Sequence, residues 1–203
     1  MQMLRFYIRL YGYAGFCLAT VGAMHFLFSG GKEMKKISEK EQKLRSDMKI
    51  IALQGKSHTG KSYCLQKLIY KISKRSKFVC VHPRDITKFN ELIQNGISTT
   101  KNSSMVDFLV YGKIDDKTIG IITYGDNEKS LAKGFDRLMK YNCDLYVCAC
   151  RTHGETVDFL EKLTANGKLV LHGRWHVNEE KYRDITVNNQ VEELESEIKE
   201  MLK

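Results

Sequence analysis

The chain has 203 residues, of which 42% are hydrophobic and 28% charged, and it carries a formal net charge of +9 at pH 7. This composition is that of an ordinary globular protein, and the length is sufficient to bury a core without a disulfide or metal staple. The mild positive excess suits anionic ligands, but it does not indicate nucleic-acid binding, so we do not expect a nucleic-acid partner.

Residues 1–31 form a hydrophobic N-terminal segment, and positions 10–28 within it carry no formal charge. A helix of that length approaches the thickness of a bilayer, and the heavier positive charge that follows it would keep the rest of the chain in the cytosol. Three interpretations stay open. This N-terminal hydrophobic helix anchors the protein in a membrane, or it is a weakly inserted or interfacial helix, or the true start is Met34 or Met48. Residues 32–47 are then a charged linker, and residues 48–203 are the main domain.

From Met48 onward, apolar runs typical of strands alternate with segments of helical periodicity. The predicted strands are KIIAL (49–53), FVCVH (78–82), DFLVYGKI, TIGIITY (118–124), CDLYVCACR (143–151) and KLVLHGRWHV (168–177). The predicted helices are KSYCLQKLIYKI, DITKFNELIQNG, NEKSLAKGFDRLMKYN, ETVDFLEKLTANG and VEELESEIKEMLK. The third and fourth strands form a hairpin that turns at Asp115-Asp116. This order predicts an α/β fold of three layers, in which helices cover both faces of a mostly parallel sheet with a local β-hairpin.

Six cysteines are distributed along the chain: Cys17, Cys64, Cys80, Cys143, Cys148 and Cys150. Because several lie in apolar runs, we interpret them as buried reduced thiols of a cytoplasmic protein. A zinc site that combines three of them with His153 is disfavoured, since the spacing matches no familiar zinc pattern.

Between the first predicted strand and helix, GKSHTGKS fits the pattern G-x-x-x-x-G-K-[ST]. Such a loop wraps a phosphate chain with its backbone N–H groups, and its glycines allow the close approach that side chains would block. Lys61 is expected to hold the β- and γ-phosphates, and the Ser62 hydroxyl is expected to complete a Mg²⁺ shell. The predicted nucleotide site comprises Gly55, Lys56, Ser57, His58, Thr59, Gly60, Lys61, Ser62 and Tyr63.

Such a site needs an acidic partner for Mg²⁺ at the end of a neighbouring strand, and Asp126 is the best candidate. It departs from the usual placement, because Thr123 occupies the position directly after the apolar run. The alternative is that Gly125-Asp126 forms only a turn and a helix cap. Asp144 is a poorer candidate, because it opens its strand at the edge far from the ligand.

By the same geometry, Arg151 ends its strand at the ligand edge, where it could contact phosphate or pair with Glu155 as a surface residue. His153 and Glu155 are weaker candidates for orienting water. Arg84 and Asp85 follow the second strand, where an acceptor would approach, although a turn and a helix cap explain them better. For Trp175 we expect a packing role.

On its Walker A motif, the segment 48–203 resembles the P-loop NTPase superfamily, and the order of its elements resembles the small-kinase-like branch. IGIITYGD and CDLYVCACRTHGETVDFL look like segments of small bacterial or phage ATP-binding proteins. The resemblance implies that Lys61 and Ser62 bind phosphate and Mg²⁺, with Lys61, Asp126 and Arg151 as catalytic candidates. The guanine-reading Asn-Lys-x-Asp pattern is missing from the sequence, which favours ATP over GTP.

Three functions remain open at this point. The first is Mg²⁺-dependent ATP hydrolysis or nucleotide-driven switching. The second is a phosphotransferase that acts on a nucleotide or small metabolite, although no long insert supplies a lid. The third is a membrane-tethered ATP sensor without enzymatic activity, which an anchoring segment at 10–28 would favour. A homo-oligomer that borrows an arginine from its partner is compatible with any of them.

Overall fold

A computed structural model of the chain describes residues 48–82, 85–97, 106–173 and 180–203. The predicted hydrophobic helix at 10–28, the linker 32–47, Arg84 and Trp175 lie outside these ranges. Among the helices that are described, none is long and apolar enough to cross a membrane.

The described elements follow one another as alternating strands and helices. The strands are β1 (Lys49–Gln54), β2 (Phe78–Cys80), β3 (Leu109–Ile114), β4 (Lys117–Ile122), β5 (Leu145–Cys150) and β6 (Lys168–Gly173). The helices are α1 (Lys61–Ser73), α2 (Ile86–Asn95), α3 (Glu128–Leu138), α4 (Glu155–Leu163) and α5 (Glu180–Met201), and a short 3₁₀ turn (Met139–Tyr141) follows α3. The prediction of an α/β fold is confirmed.

The six strands form one mixed sheet in the order β2-β3-β4-β5-β1-β6. β4, β5, β1 and β6 pair in parallel, whereas β3 is antiparallel to both of its neighbours. The predicted hairpin turns at Asp115, whose positive φ of 53° reverses the chain between β3 and β4. The start of β3 therefore lies beside the end of β4, and β5 separates β4 from β1.

Strand residues alternate between two apolar layers, as the two-residue period of a strand requires. On one face, Ile51 and Leu53 of β1 belong to a core with α1, α2 and α5. On the other face, Ile50 and Ala52 pack with α3 and α4. The sheet is thus covered by helices on both faces. The described cysteines are free thiols, and burial raises the pKa of Cys150 to about 12.

Charged side chains on one side of α1 tie that helix to α5. Glu195 of α5 is buried, with an exposed fraction of only 6%. It forms ion pairs with Lys71 of α1, with Arg75 just after that helix, and with Lys199 one turn away on α5. Nearer the start of α1, Lys67 Nζ lies 3.1 Å from a carboxylate oxygen of Asp184. These contacts hold α1 in a defined orientation beneath its N-terminal loop.

Some element boundaries differ from those expected. The second strand ends at Cys80 rather than His82, where it forms one edge of the sheet beside β3. The last helix begins at Glu180, well before the predicted VEELESEIKEMLK segment. The last strand is described only to Gly173, and the rest of its predicted range lies outside the described residues.

Candidate functional site

The loop 55–60 joins the carboxyl end of β1 directly to the N-terminus of α1. The start of the loop is hydrogen-bonded to the last residue of β5, because the Gly55 N–H donates to the Cys150 carbonyl at 3.2 Å. Within the loop, the Thr59 hydroxyl donates to the Lys56 carbonyl at 2.9 Å. His58 and Gly60 have positive φ angles of 59° and 82°, which turn the chain sharply before the helix starts. The predicted strand–loop–helix setting of the GKSHTGKS motif is therefore confirmed.

The N-terminus of α1 faces the loop with unpaired N–H groups. Gly60 occupies the cap position and has no side chain that could accept from these N–H groups. The first turn of the helix contains no acidic residue. The first helical hydrogen bond runs from the Cys64 N–H to the Gly60 carbonyl at 3.0 Å. The N–H groups of the first turn and the helix dipole are therefore available to an anion.

Lys61 extends beneath the loop and is largely buried, with an exposed fraction of 6%. Its Nζ donates to the carbonyls of Gly55 and Lys56 at 3.0 and 2.8 Å, and it lies 3.7 Å from Asp126 Oδ1. Burial lowers the pKa of Lys61, an effect that Asp126 opposes and Arg151 reinforces. The ammonium group is thus held inside the loop by weak backbone acceptors, and a phosphate oxygen would be a stronger partner.

Asp126 and Arg151 contact each other at the edge of the sheet where β5 ends. The Arg151 Nε donates to the Asp126 carbonyl at 3.1 Å and lies 3.4 Å from its Oδ1 atom. The side chain that caps α3 is Asn127, which accepts from the Ser130 N–H at 2.8 Å. Since Asn127 is the cap, the alternative that assigned this role to Asp126 is wrong. The carboxylate of Asp126 instead lies between the cations of Lys61 and Arg151.

The position of Asp126 depends on Gly125. A Cβ atom added to Gly125 would lie 1.7 Å from the Ala149 carbonyl oxygen, so only glycine allows the loop to run this close to β5. This close approach brings the segment between β4 and α3 against the end of β5. It thereby places Asp126 next to Arg151, which directly follows that strand.

A second carboxylate, Asp107, lies at the same edge and was missed in the sequence. Thr123 is fully buried, and its hydroxyl donates to Asp107 Oδ1 at 3.3 Å and accepts from the Phe108 N–H at 2.7 Å. The Thr123 carbonyl in turn accepts from the Ser62 hydroxyl at 2.8 Å. The predicted hairpin was the available signal for this position. Because a hairpin reverses the chain, an acidic residue before its first strand lies beside the end of its second strand.

These groups surround a cavity of about 720 Å³. Five residues of the predicted nucleotide site line it, together with side chains from the end of β4 and from α3. The lining residues are His58, Thr59, Gly60, Lys61, Ser62, Asp107, Tyr124, Gly125, Asp126, Asn127, Ser130, Lys133, Arg137 and Ala149. Arg151 borders this group through its contacts with Asp126. Tyr63 points elsewhere, because its hydroxyl contacts Asp184 Oδ1 on α5 at 3.3 Å.

The remaining candidates lie apart from the cavity lining. Asp144 accepts from the Thr118 N–H at 2.7 Å, at the opposite edge of the sheet. Asp85 lies 3.8 Å from His82 Nδ1. His153 and Glu155 are exposed in the segment after β5, and the ion pair that Arg151 forms is with Asp126 rather than Glu155.

The donor set fits a phosphate chain with Mg²⁺. The helix N-terminus and Lys61 supply positive charge, while the Ser62 hydroxyl and the carboxylates of Asp107 and Asp126 line the same cavity. Within the described ranges, no three His, Cys, Asp or Glu side chains converge to hold a metal by themselves. Mg²⁺ usually binds through one or two carboxylates, substrate phosphates and waters, and Asp107 and Asp126 are two carboxylates in this lining. No protein-family model, curated protein or solved structure matches the chain.

Proposed function

We propose that the protein binds ATP with Mg²⁺ and hydrolyses it. The observation that carries this proposal is the loop 55–60, which surrounds a buried lysine and opens the N-terminus of α1 toward a cavity. A triphosphate combines the features that this geometry favours, since it is an extended polyanion with many acceptor oxygens. ATP is the preferred nucleotide because no guanine-reading pattern is found in the sequence.

Each residue has a distinct role in this proposal. The backbone N–H groups of residues 56–63 surround the phosphates, and Lys61 exchanges its two carbonyl partners for phosphate oxygens. Arg151 stabilises negative charge that develops during hydrolysis, and Asp126 holds its guanidinium group at the edge of the cavity. Mg²⁺ bound by Ser62 with Asp107 or Asp126 would neutralise charge on the terminal phosphates.

The test measures ATP–Mg²⁺ binding by calorimetry and phosphate release from the full chain. We expect Lys61→Ala to weaken ATP binding by about a hundredfold or more, because roughly 3 kcal/mol of charge-assisted hydrogen bonding is lost. Lys88→Ala, which removes an exposed lysine of α2, is the matched control and should bind ATP like the unchanged protein. Equal ATP affinity in the Lys61 and Lys88 variants would refute the proposal.

A phosphotransferase activity is the second candidate. It is favoured by the extent of the cavity, which continues from Lys61 past Tyr124 to the exposed face of α3. If phosphate release is slow alone but ADP forms faster when a small metabolite is added, the protein is a kinase rather than an ATPase.

A further inference from the structure

The far side of the cavity is lined by a row of polar side chains on α3. Ser130, Lys133, Arg137 and the neighbouring Tyr124 all line it. Residues three and four positions apart share one face of a helix, with Cβ atoms roughly 5–6 Å apart. Lys133 and Arg137 therefore direct two positive charges to one place.

Lys133 and Arg137 are exposed. Neither cation forms an ion pair with another residue that the structure describes. This contrasts with Lys71 of α1 and Arg75 just after it, which are both paired with Glu195. Two cations that line a cavity and have no ion-pair partner among the described residues are suited to bind an anion from solution.

The Tyr124 hydroxyl lies against α3 because residue 134 is glycine. A Cβ atom at Gly134 would lie 3.1 Å from that hydroxyl, so a larger residue would crowd the ring. Tyr124 also lines the cavity, and its phenolic hydroxyl is a hydrogen-bond donor.

We infer that Lys133, Arg137, Tyr124 and Ser130 form a second subsite, which binds the phosphate group of a small molecule beside the nucleotide. Two cations and two hydroxyl donors match a dianion with several acceptor oxygens better than a monoanion with two. The cavity of about 720 Å³ extends from the loop 55–60 to α3, and it lies in the upper part of the range of roughly 300–1,000 Å³ found for ligand pockets. The inference rests on the proposed nucleotide site, because that site occupies the other side of the same cavity.

The test uses the full chain saturated with Mg²⁺ and a non-hydrolysable ATP analogue, into which inorganic phosphate is titrated by calorimetry. We expect one phosphate per chain, with a dissociation constant in the millimolar range. The double variant Lys133→Ala/Arg137→Ala should raise this constant about tenfold or more, while the analogue binds within about threefold of its original affinity. Lys129→Ala removes an exposed lysine of α3 that does not line the cavity, and it should change neither constant.

Three results would overturn the inference. The first is equal phosphate binding by the double variant and the Lys129 variant. The second is a tenfold loss of analogue affinity in the double variant, which would assign both cations to the nucleotide itself. The third is binding of acetate as tight as that of phosphate, since acetate is a monoanion.

A failure of the nucleotide site gives a different pattern. If the unchanged protein does not bind the analogue, the proposed function is wrong, and phosphate is titrated into the protein without nucleotide. The subsite is then supported if the double variant loses phosphate binding and Lys61→Ala retains it. It is refuted if the double variant binds phosphate like the unchanged protein.

Discussion

The two ends of α1 use charge in opposite ways. At the C-terminal end, Lys71 and Arg75 are paired with the buried carboxylate of Glu195. At the N-terminal end, the buried Lys61 ammonium contacts two backbone carbonyls and lies 3.7 Å from the exposed carboxylate of Asp126. A charge that is fully satisfied within the protein stabilises the fold, whereas one held by weak acceptors can exchange them for a ligand. The C-terminal end of α1 is therefore fixed by ion pairs, whereas the N-terminal end belongs to the candidate site.

The largest effect on the site end should come from Gly125→Ala. The new Cβ would lie 1.7 Å from the Ala149 carbonyl oxygen, and a central strand cannot move to make room. The segment that carries Asp126 must therefore shift away from Arg151. We expect a loss of about 3 kcal/mol in the free energy of unfolding, as for other overpacked sites, and at least about tenfold weaker ATP binding.

Denaturant unfolding and calorimetry measure these two effects of Gly125→Ala. Gly173→Ala is the control, because an added Cβ there meets no described atom within 4 Å and should leave both quantities nearly unchanged. Unfolding and binding identical in the two variants would show that Gly125 does not position the site.

At the anchored end, Glu195→Gln should lower stability without weakening ATP binding. Burial by itself raises the pKa of Glu195, but hydrogen bonds from Lys199, Lys71 and Arg75 outweigh it and lower the pKa to about 2. Because all three partners are partly exposed, we expect a loss of about 2 kcal/mol at pH 7 rather than the larger value that the pKa shift alone implies.

The pH dependence of unfolding gives a second measurement of the same contact. A depressed carboxylate pKa contributes stability above the unfolded value of 4.5, and this contribution is lost as the pH falls from 4.5 toward about 2. The Glu195→Gln variant should therefore lose less stability than the unchanged protein over that interval. Parallel stability curves for the two proteins would contradict the account, as would a tenfold change in ATP affinity at pH 7.

The sequence predicted the local parts of the site better than the parts that depend on pairing. The loop before Lys61 is encoded within one short segment, and Arg151 follows from the rule that parallel strands end at the same edge. Asp107 was missed because its place depends on how β3 pairs with β4. Tyr63 was included by its position in the motif, but each helical residue turns by about 100°, which directs it toward α5 rather than the cavity.

The close approach at Gly125 was also beyond prediction from the sequence. A Gly-Asp pair after a strand is typical of a turn, and nothing in the residues themselves shows that the Ala149 carbonyl lies within contact distance. Such packing depends on how the ends of two neighbouring strands are aligned in the folded sheet. The same limit applies to the cavity, whose far wall comes from α3 rather than from the motif.

The smallest expected effect, from Thr123→Val, tests how the site end is connected to the fold. The Thr123 hydroxyl is fully buried between the Phe108 N–H and Asp107. Valine has the same shape but leaves the Phe108 N–H without this acceptor, so we expect a loss of about 1–2 kcal/mol in the free energy of unfolding. Asp107 should also become less well positioned, which would raise the Mg²⁺ concentration needed for ATP binding about threefold. Thr123→Ser keeps the hydroxyl and should bind ATP at the same Mg²⁺ concentration as the unchanged protein. An unchanged Mg²⁺ requirement in the valine variant would show that Asp107 does not belong to the site.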